Sequence, residues 1–298
     1  MIKTGTYDKS LHDKEFKVFL RFSDKSRNAW YFNNKVEPRD IFFKNTLKVF
    51  GSENIDIVLD NSSDETYKWF LSPELGLKTD QIERTNFKGM PGEPSSGAFA
   101  AMIRSMERAI KKMSPDGIVY LLEDDYIHRK NSKQIILEGL SHFDYVSLSD
   151  SFYKYTDRCK DSSIPSMIKV SESCHWKSIT TTPSTFACRA EVLKQDFYYF
   201  FAHNAERVRH IQRPRPWKPD DDAWEHLTNE GNRTLGCPMP GYSDHINERH
   251  RKLHSPFVDW KEELGKDVEF AGIPLDKLVP KKIYKKLKRK RKLKRKSK

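Results

Sequence analysis

Two apolar runs, each leading straight into carboxylates, constrain this 298-residue chain more than any other feature. "IDIVLDNSSD" sets Ile55, Ile57 and Leu59 ahead of Asp60 and Asn61, and "IVYLLEDDY" ends in Glu123, Asp124 and Asp125. Short apolar runs bounded by turn residues read as strands. Strands buried on both faces belong to parallel sheets covered by helices. "FKVFLRF" (16–22) supplies a first strand, ended by the polar "SDKSRN". "PRDIFFKNTLKVFG" predicts a helix opened by Pro38 and closed by Gly51. In "GEPSSGAFAAMIRSMERAIKKM" the residues Phe99, Met102, Ile103, Met106, Ile110 and Met113 fall at helical spacing. "SPDG" then makes a turn, "NSKQIILEGLSHF" predicts a further helix, and "DYVSLSD" (144–150) a further strand. Strand and helix alternate to about Asp150, which predicts an α/β domain with a mostly parallel central sheet flanked by helices. In such sheets ligands gather at the carboxyl ends of the strands, where both acidic segments fall. From Ser151 onward the pattern is less regular, and no internal repeat is present.

The formal charge of +12 resides in the last residues. "KKIYKKLKRKRKLKRKSK" (281–298) holds 13 Lys or Arg and no acid, leaving 41 basic against 42 acidic groups before it. The body is therefore no general polyanion binder, and attraction to lipid or nucleic acid belongs to the tail. Attachment to an anionic membrane surface is the favoured role, against a nucleic-acid or nuclear-targeting patch and a solubilising end. No specific nucleic acid is expected as a partner. Cys159, Cys174, Cys188 and Cys237 show neither a C-x-x-C pair nor zinc spacing, which predicts a reducing, cytoplasmic setting. The first residues lack an apolar signal core, and no run approaches the roughly 20 apolar residues that span a bilayer.

Three adjacent acids at a strand end are often just a solvated turn. Close carboxylates repel unless protons or cations neutralise them, and a hard divalent cation, Mg2+ or Mn2+ rather than zinc, fits oxygen ligands. Were the backbone extended throughout, Glu123 and Asp125 would share one face and Asp124 the other.

In this order, "VLDNSSDET", "SSGAFAAMIRSMERA" and "YLLEDDY" resemble the GT-A class of nucleotide-sugar-dependent glycosyltransferases, whose hallmark is a D-x-D motif. The E-D-D form is similar to a variant of it. The resemblance runs from about Lys17 to Trp260. It implies a single Rossmann-like GT-A domain over 16–262, after a polar leader (1–15) and before a C-terminal extension with the basic tail (263–298). It also implies Asp125 as a metal ligand, with Glu123 and Asp124 serving the ribose, the donor sugar or metal-bound water. Arg21, Ser23, Asp60 and Asn61 become candidate donor contacts. For Asp60 the alternative is a turn residue bonding its own backbone. Ser96 and Gly97 either open a helix or present free amides to a diphosphate.

"KPDDDAWEHL" puts Asp220, Asp221 and Asp222 at a helix start, where one cap would suffice. Inverting GT-A enzymes place a base at a similar point, which implies Asp221, with Asp220 second, as the group deprotonating the acceptor hydroxyl. "PGYSDH" ends in His245, which the resemblance makes a metal ligand, with His254 a weaker competitor; a lone histidine is otherwise more often hydrogen-bonded at the surface. Trp176 and Trp217 are acceptor-stacking candidates, against the usual core role of a Trp. Cys174 beside His175 is no nucleophile pair, because adjacent extended residues face apart.

The expected activity is metal-dependent transfer of a hexosyl or pentosyl group from a nucleotide sugar to a glycan or glycoconjugate hydroxyl, with inversion. The rivals are an Mg-dependent nucleotidyltransferase, for which "RFSDKSRN" lacks a Gly-rich phosphate loop, and a nucleic-acid-binding protein using the tail.

Overall fold

The computed structural model describes residues 8–24, 42–87, 96–155, 164–209, 219–245, 258–260 and 262–263. In chain order the elements begin β1 (Phe16–Phe22), α1 (Lys44–Phe50), β2 (Ile55–Asp60), α2 (Asp64–Phe70), β3 (Ile82–Thr85), α3 (Ser96–Lys112), β4 (Ile118–Glu123), β5 (Tyr126–His128) and α4 (Ser132–Leu140). They continue with β6 (Tyr145–Val146), β7 (Ile168–Val170), β8 (His175–Ser178), β9 (Phe186–Arg189), α5 (Ala190–Arg209), α6 (Pro219–Asn229), β10 (Leu235–Met239) and β11 (Ser243–His245).

Nine strands form one sheet in the order β3-β2-β1-β4-β9-β6-β10-β8-β7, with β5 and β11 paired as a separate ribbon. β3, β2, β1 and β4 run parallel, and β9 and β8 run against the other seven. The sheet is thus mostly parallel, with its antiparallel pairs confined to the second half.

Strand parity builds two cores. Val18, Leu20, Phe22, Tyr120 and Leu122 face α1, α2 and α4, packing with Phe43, Phe50, Phe70 and Ile136. Phe19, Val119 and Leu121 face α3, α5 and α6, packing with Met106, Leu193, Phe200 and Trp224. Every residue of β2 is buried, as a central strand covered on both sides requires. Gly51 ends α1 at φ 79°, a conformation that glycine adopts without steric cost. Pro38 lies outside the described residues, as do Cys159, Trp217, His254 and the basic tail.

The leader is not wholly apart from the domain: Leu11 is buried in the first core, and the Glu15 carbonyl accepts from the Ile118 N–H. At the other end Trp260 is buried, and Glu263 pairs with Arg129 at 2.7 Å. Among the described residues no helix is long and apolar enough to cross a membrane. Cys174, Cys188 and Cys237 are all free thiols, and burial pushes the Cys174 thiol up to about 12, so it is no thiolate nucleophile.

Candidate functional site

The register of β1 on β4 sets Arg21 directly opposite Glu123. Paired residues on neighbouring strands project to the same face, so the guanidinium reaches the carboxylate, with Arg21 Nη2 donating to Glu123 Oε1 at 2.5 Å. β4 ends at Glu123, and Asp124 and Asp125 form a turn before β5. The backbone is therefore not extended through the motif, and the three carboxylates take different partners. The Ser23 N–H donates to Asp124 Oδ2 at 3.0 Å, and Asp125 Oδ2 meets His245 Nε2 at 2.7 Å.

That last contact depends on the small ribbon. β11 pairs antiparallel with β5 and places His245 across from Tyr126, one residue beyond Asp125. The imidazole stacks obliquely on the Tyr126 ring, with centroids 5.1 Å apart. It keeps 30% of its side-chain surface exposed, against 8% for Asp125. A residue 120 positions away in sequence thus shares one corner with the acids.

The corner carries more negative charge than burial tolerates. Burial, followed by the neighbouring Asp125 charge, pushes the Asp124 carboxyl up to about 7. Burial likewise raises Glu123 despite the opposing pull of Arg21. Burial alone would lower His245, but the Asp125 carboxylate against it raises it to about 9.

Asp60 and Asn61 brace the neighbouring strand end. Asp60 Oδ1 accepts from Thr85 Oγ1 and from the Phe87 N–H, both at 2.9 Å, and Asp60 Oδ2 accepts from Asn61 Nδ2 at 2.9 Å. Asn61 sits at φ 49°, which asparagine tolerates better than most residues, and its side chain also donates to the Phe87 carbonyl at 2.7 Å. Asp24 ties the two loops together by accepting from the Ser63 N–H at 2.7 Å. Asp60 thus does not bond the backbone of its own turn; its carboxylate ties the end of β2 to the chain leaving β3. Ser96 and Gly97 open α3, whose N-terminus points toward the carboxyl edge because α3 leads back to the start of β4. Pro219, Asp220 and Asp221 begin α6, anchored by buried Trp224 and Leu227.

Trp176 requires a correction. It is fully buried, its Nε1 donates to Ser171 Oγ at 3.0 Å, and a Cβ added at Gly139 would lie 2.4 Å from its ring. No ring face is left for an acceptor sugar, so it leaves the candidate site.

The structure also assembles residues that the sequence did not single out. Thr185 Oγ1 accepts from the Glu123 N–H at 3.2 Å. Beyond it, Asp150 is completely buried at the end of the β6 segment, with Lys177 Nζ at 2.9 Å from Oδ1 and Tyr155 O–H donating to both oxygens. Asp60 and Glu123 are the last residues of their strands, whereas Asp150 comes four residues after the short β6, so its place gave no comparable signal.

A divalent cation can be tested against this corner. Asp125 and His245 form an ion pair beside two further carboxylates, and a small hard cation completed by substrate oxygens would have to replace the imidazolium proton between them. Among the described residues no group of three or more His, Cys, Asp or Glu side chains is placed to hold a metal ion. The chain would therefore supply a partial ligand set, with the substrate supplying the rest.

Fold and corner together define a mixed α/β domain with an acid and histidine site at its strand ends. No protein-family model matches the chain, and no curated protein matches it. Several solved structures share part of its course. Among them are a galactosyltransferase, LgtC, in complex with donor and acceptor sugar analogs (9% identity, TM-score 0.40, 74% of this chain and 72% of that chain), mouse xyloside xylosyltransferase 1 (12%, 0.41, 86% and 93%), and 4-diphosphocytidyl-2C-methyl-D-erythritol synthase from Anaerococcus prevotii (10%, 0.39, 88% and 96%). Likeness at this level says nothing of chemistry, which must come from the chain's own residues.

Proposed function

We propose that the chain is a divalent-cation-dependent glycosyltransferase that moves a sugar from a nucleotide-sugar donor to a hydroxyl of a glycan or glycoconjugate, with inversion. The observation that carries this reading is the meeting of Asp125 and His245 at 2.7 Å beside Glu123 and Asp124, at the carboxyl edge of a mostly parallel sheet. Nucleotide ligands favour that edge.

Asp125 and His245 would hold Mn2+ or Mg2+, completed by the donor's diphosphate oxygens. When bound, the cation would neutralise charge growing on the departing diphosphate. Glu123 is held by Arg21 and Asp124 by the Ser23 amide, so both carboxylates are oriented before substrate arrives. Asp60 and Asn61 keep the loop after β2 shaped for the nucleoside, and the opening turn of α3 at Ser96 and Gly97 turns its amides toward the phosphates. Asp221, or Asp220 beside it, would take the acceptor hydroxyl's proton as that oxygen attacks the anomeric carbon. Trp217, just before α6, remains the acceptor-stacking candidate. The domain takes in Leu11 and Glu15 ahead of β1 and reaches Glu263, and the basic tail (281–298) would hold it against an anionic membrane surface.

Asp125→Asn tests the reading. Turnover of a nucleotide sugar with Mn2+ falls by roughly 10²–10³, while the circular dichroism spectrum is unchanged. Deleting Lys281 to Lys298 leaves that turnover intact, whereas a nucleic-acid-binding protein dependent on the tail would lose its function. Release of pyrophosphate from a nucleoside triphosphate, in place of nucleoside diphosphate from a nucleotide sugar, would identify a nucleotidyltransferase instead.

A further inference from the structure

Next to the acid corner lies a buried cation that nothing above uses. Lys154 is 7% exposed, yet its ammonium makes one long hydrogen bond, to the Thr181 carbonyl at 3.4 Å, and has no other partner among the described residues. An ammonium has three protons to place, and an unpaired buried charge costs several kcal/mol after relaxation.

The adjacent lysine differs. Lys177 is neutralised by Asp150 at 2.9 Å and lies 3.6 Å above the Tyr155 ring. Among the described residues, Asp150, Lys177 and Lys154 together therefore carry one positive charge without a carboxylate partner. Tyr155, next in the chain after Lys154, is 44% exposed, so the cluster lies one residue from solvent.

Its place relative to the acid corner follows from two contacts. Thr182 Oγ1 donates to Ser147 Oγ at 2.7 Å, and Thr185 Oγ1 holds the Glu123 N–H. Three residues of extended chain span at most about 10 Å. Leu148 also bonds Tyr242 and Ser243 through its carbonyl, two residues short of His245. Thr181, the residue Lys154 contacts, is four residues from Thr185, a stretch that spans at most about 14 Å, so the ammonium lies on the second-half side of β4 within reach of a substrate held at the acid corner.

We propose that Lys154 binds an oxyanion, a carboxylate or phosphate carried by the acceptor, so that the acceptor is an acidic or phosphorylated glycoconjugate. The proposal rests on the glycosyltransferase reading for its substrate, but the anion site itself does not.

The test uses the full chain, wild type and Lys154→Met, in a buffer of low anion strength with inorganic phosphate as the probe. Phosphate raises the wild-type Tm and does not raise that of Lys154→Met, whereas Lys154→Arg keeps most of the shift. Without phosphate, Lys154→Met melts at or above the wild-type temperature, because a buried unpaired charge has been removed. Both proteins share the basic tail, so binding there cancels in the difference. Equal phosphate shifts in wild type and Lys154→Met overturn the proposal, as does a large loss of Tm in Lys154→Met without phosphate. If phosphate works with wild type already saturated with donor and Mn2+, the anion belongs to the acceptor. If saturation abolishes the phosphate effect, the site serves the donor's phosphates and the acceptor assignment falls. A failure of nucleotide sugars and Mn2+ to act on either protein would sink the transferase reading and leave the phosphate difference standing.

Discussion

The two halves of the sheet hold their charges by different means. In the parallel half, Arg21 meets Glu123 because strand register sets them opposite each other, and both remain about a fifth exposed at 19% and 21%. In the antiparallel half, Asp150 meets Lys177 only after β8 has folded back beside β10, and both side chains are almost wholly buried at 0% and 8%. A pair set by register at a sheet edge can stay accessible to a ligand. A pair assembled from distant segments in the interior gives up water on both sides, so its integrity bears on folding as well as on binding.

The largest effect should come from breaking the buried pair. Asp150→Ala leaves the Lys177 ammonium buried without its carboxylate, and denaturant unfolding should show a loss of about 3–5 kcal/mol. Adding Lys177→Met to that variant should recover much of the loss, because an apolar pair needs no counter-charge. A small loss in Asp150→Ala would show that Lys177 reaches water, and would erase the contrast.

A smaller, pH-dependent effect belongs to the ribbon that follows β4. His128 in β5 is 1% exposed, paired through Nε2 with the Tyr120 hydroxyl at 2.8 Å, and burial holds it down to about 3. The unfolded chain protonates this histidine near 6.5, so between about pH 6.5 and 3 the unfolded state binds the extra proton and stability falls as pH falls. Each pH unit in that window removes up to about 1.4 kcal/mol. His128→Gln should flatten the slope by a comparable amount in urea titrations, and an unchanged slope would mean that the histidine is solvated.

The smallest effect joins the halves. Thr185→Val removes the acceptor of the Glu123 N–H and should cost about 1 kcal/mol. It should also weaken binding of nucleotide sugar, because the backbone carrying the acid corner loosens.

Much of the parallel half was legible in the sequence because its long strands are dominated by large apolar residues. "FKVFLRF" matches β1 from end to end, and Ile55, Ile57 and Leu59 lie in β2 as their spacing predicts. β3 and β5 were not legible: "IERT" has three polar members, and "YIH" has three residues. β7 to β11 hold three to five residues each and draw their stability from pairing with distant segments, which leaves little local signal. The carboxylates of the corner are adjacent in sequence and so announced themselves. The Asp150 and Lys177 pair is separated by 27 positions and could not. Trp176 was misread because a large aromatic looks alike in a core and on a sugar platform until its neighbours are known.

The central claim is that Asp125 and His245 form one half of a cation site completed by a nucleotide sugar. The most direct measurement is the melting temperature of the full chain against a panel of nucleotide sugars, with and without Mn2+. The account predicts that members sharing one nucleotide raise Tm only when Mn2+ is present, and that Asp125→Asn and His245→Ala each abolish the rise. A rise that is independent of Mn2+ and unchanged in both variants, or no rise with any member of the panel, would contradict it.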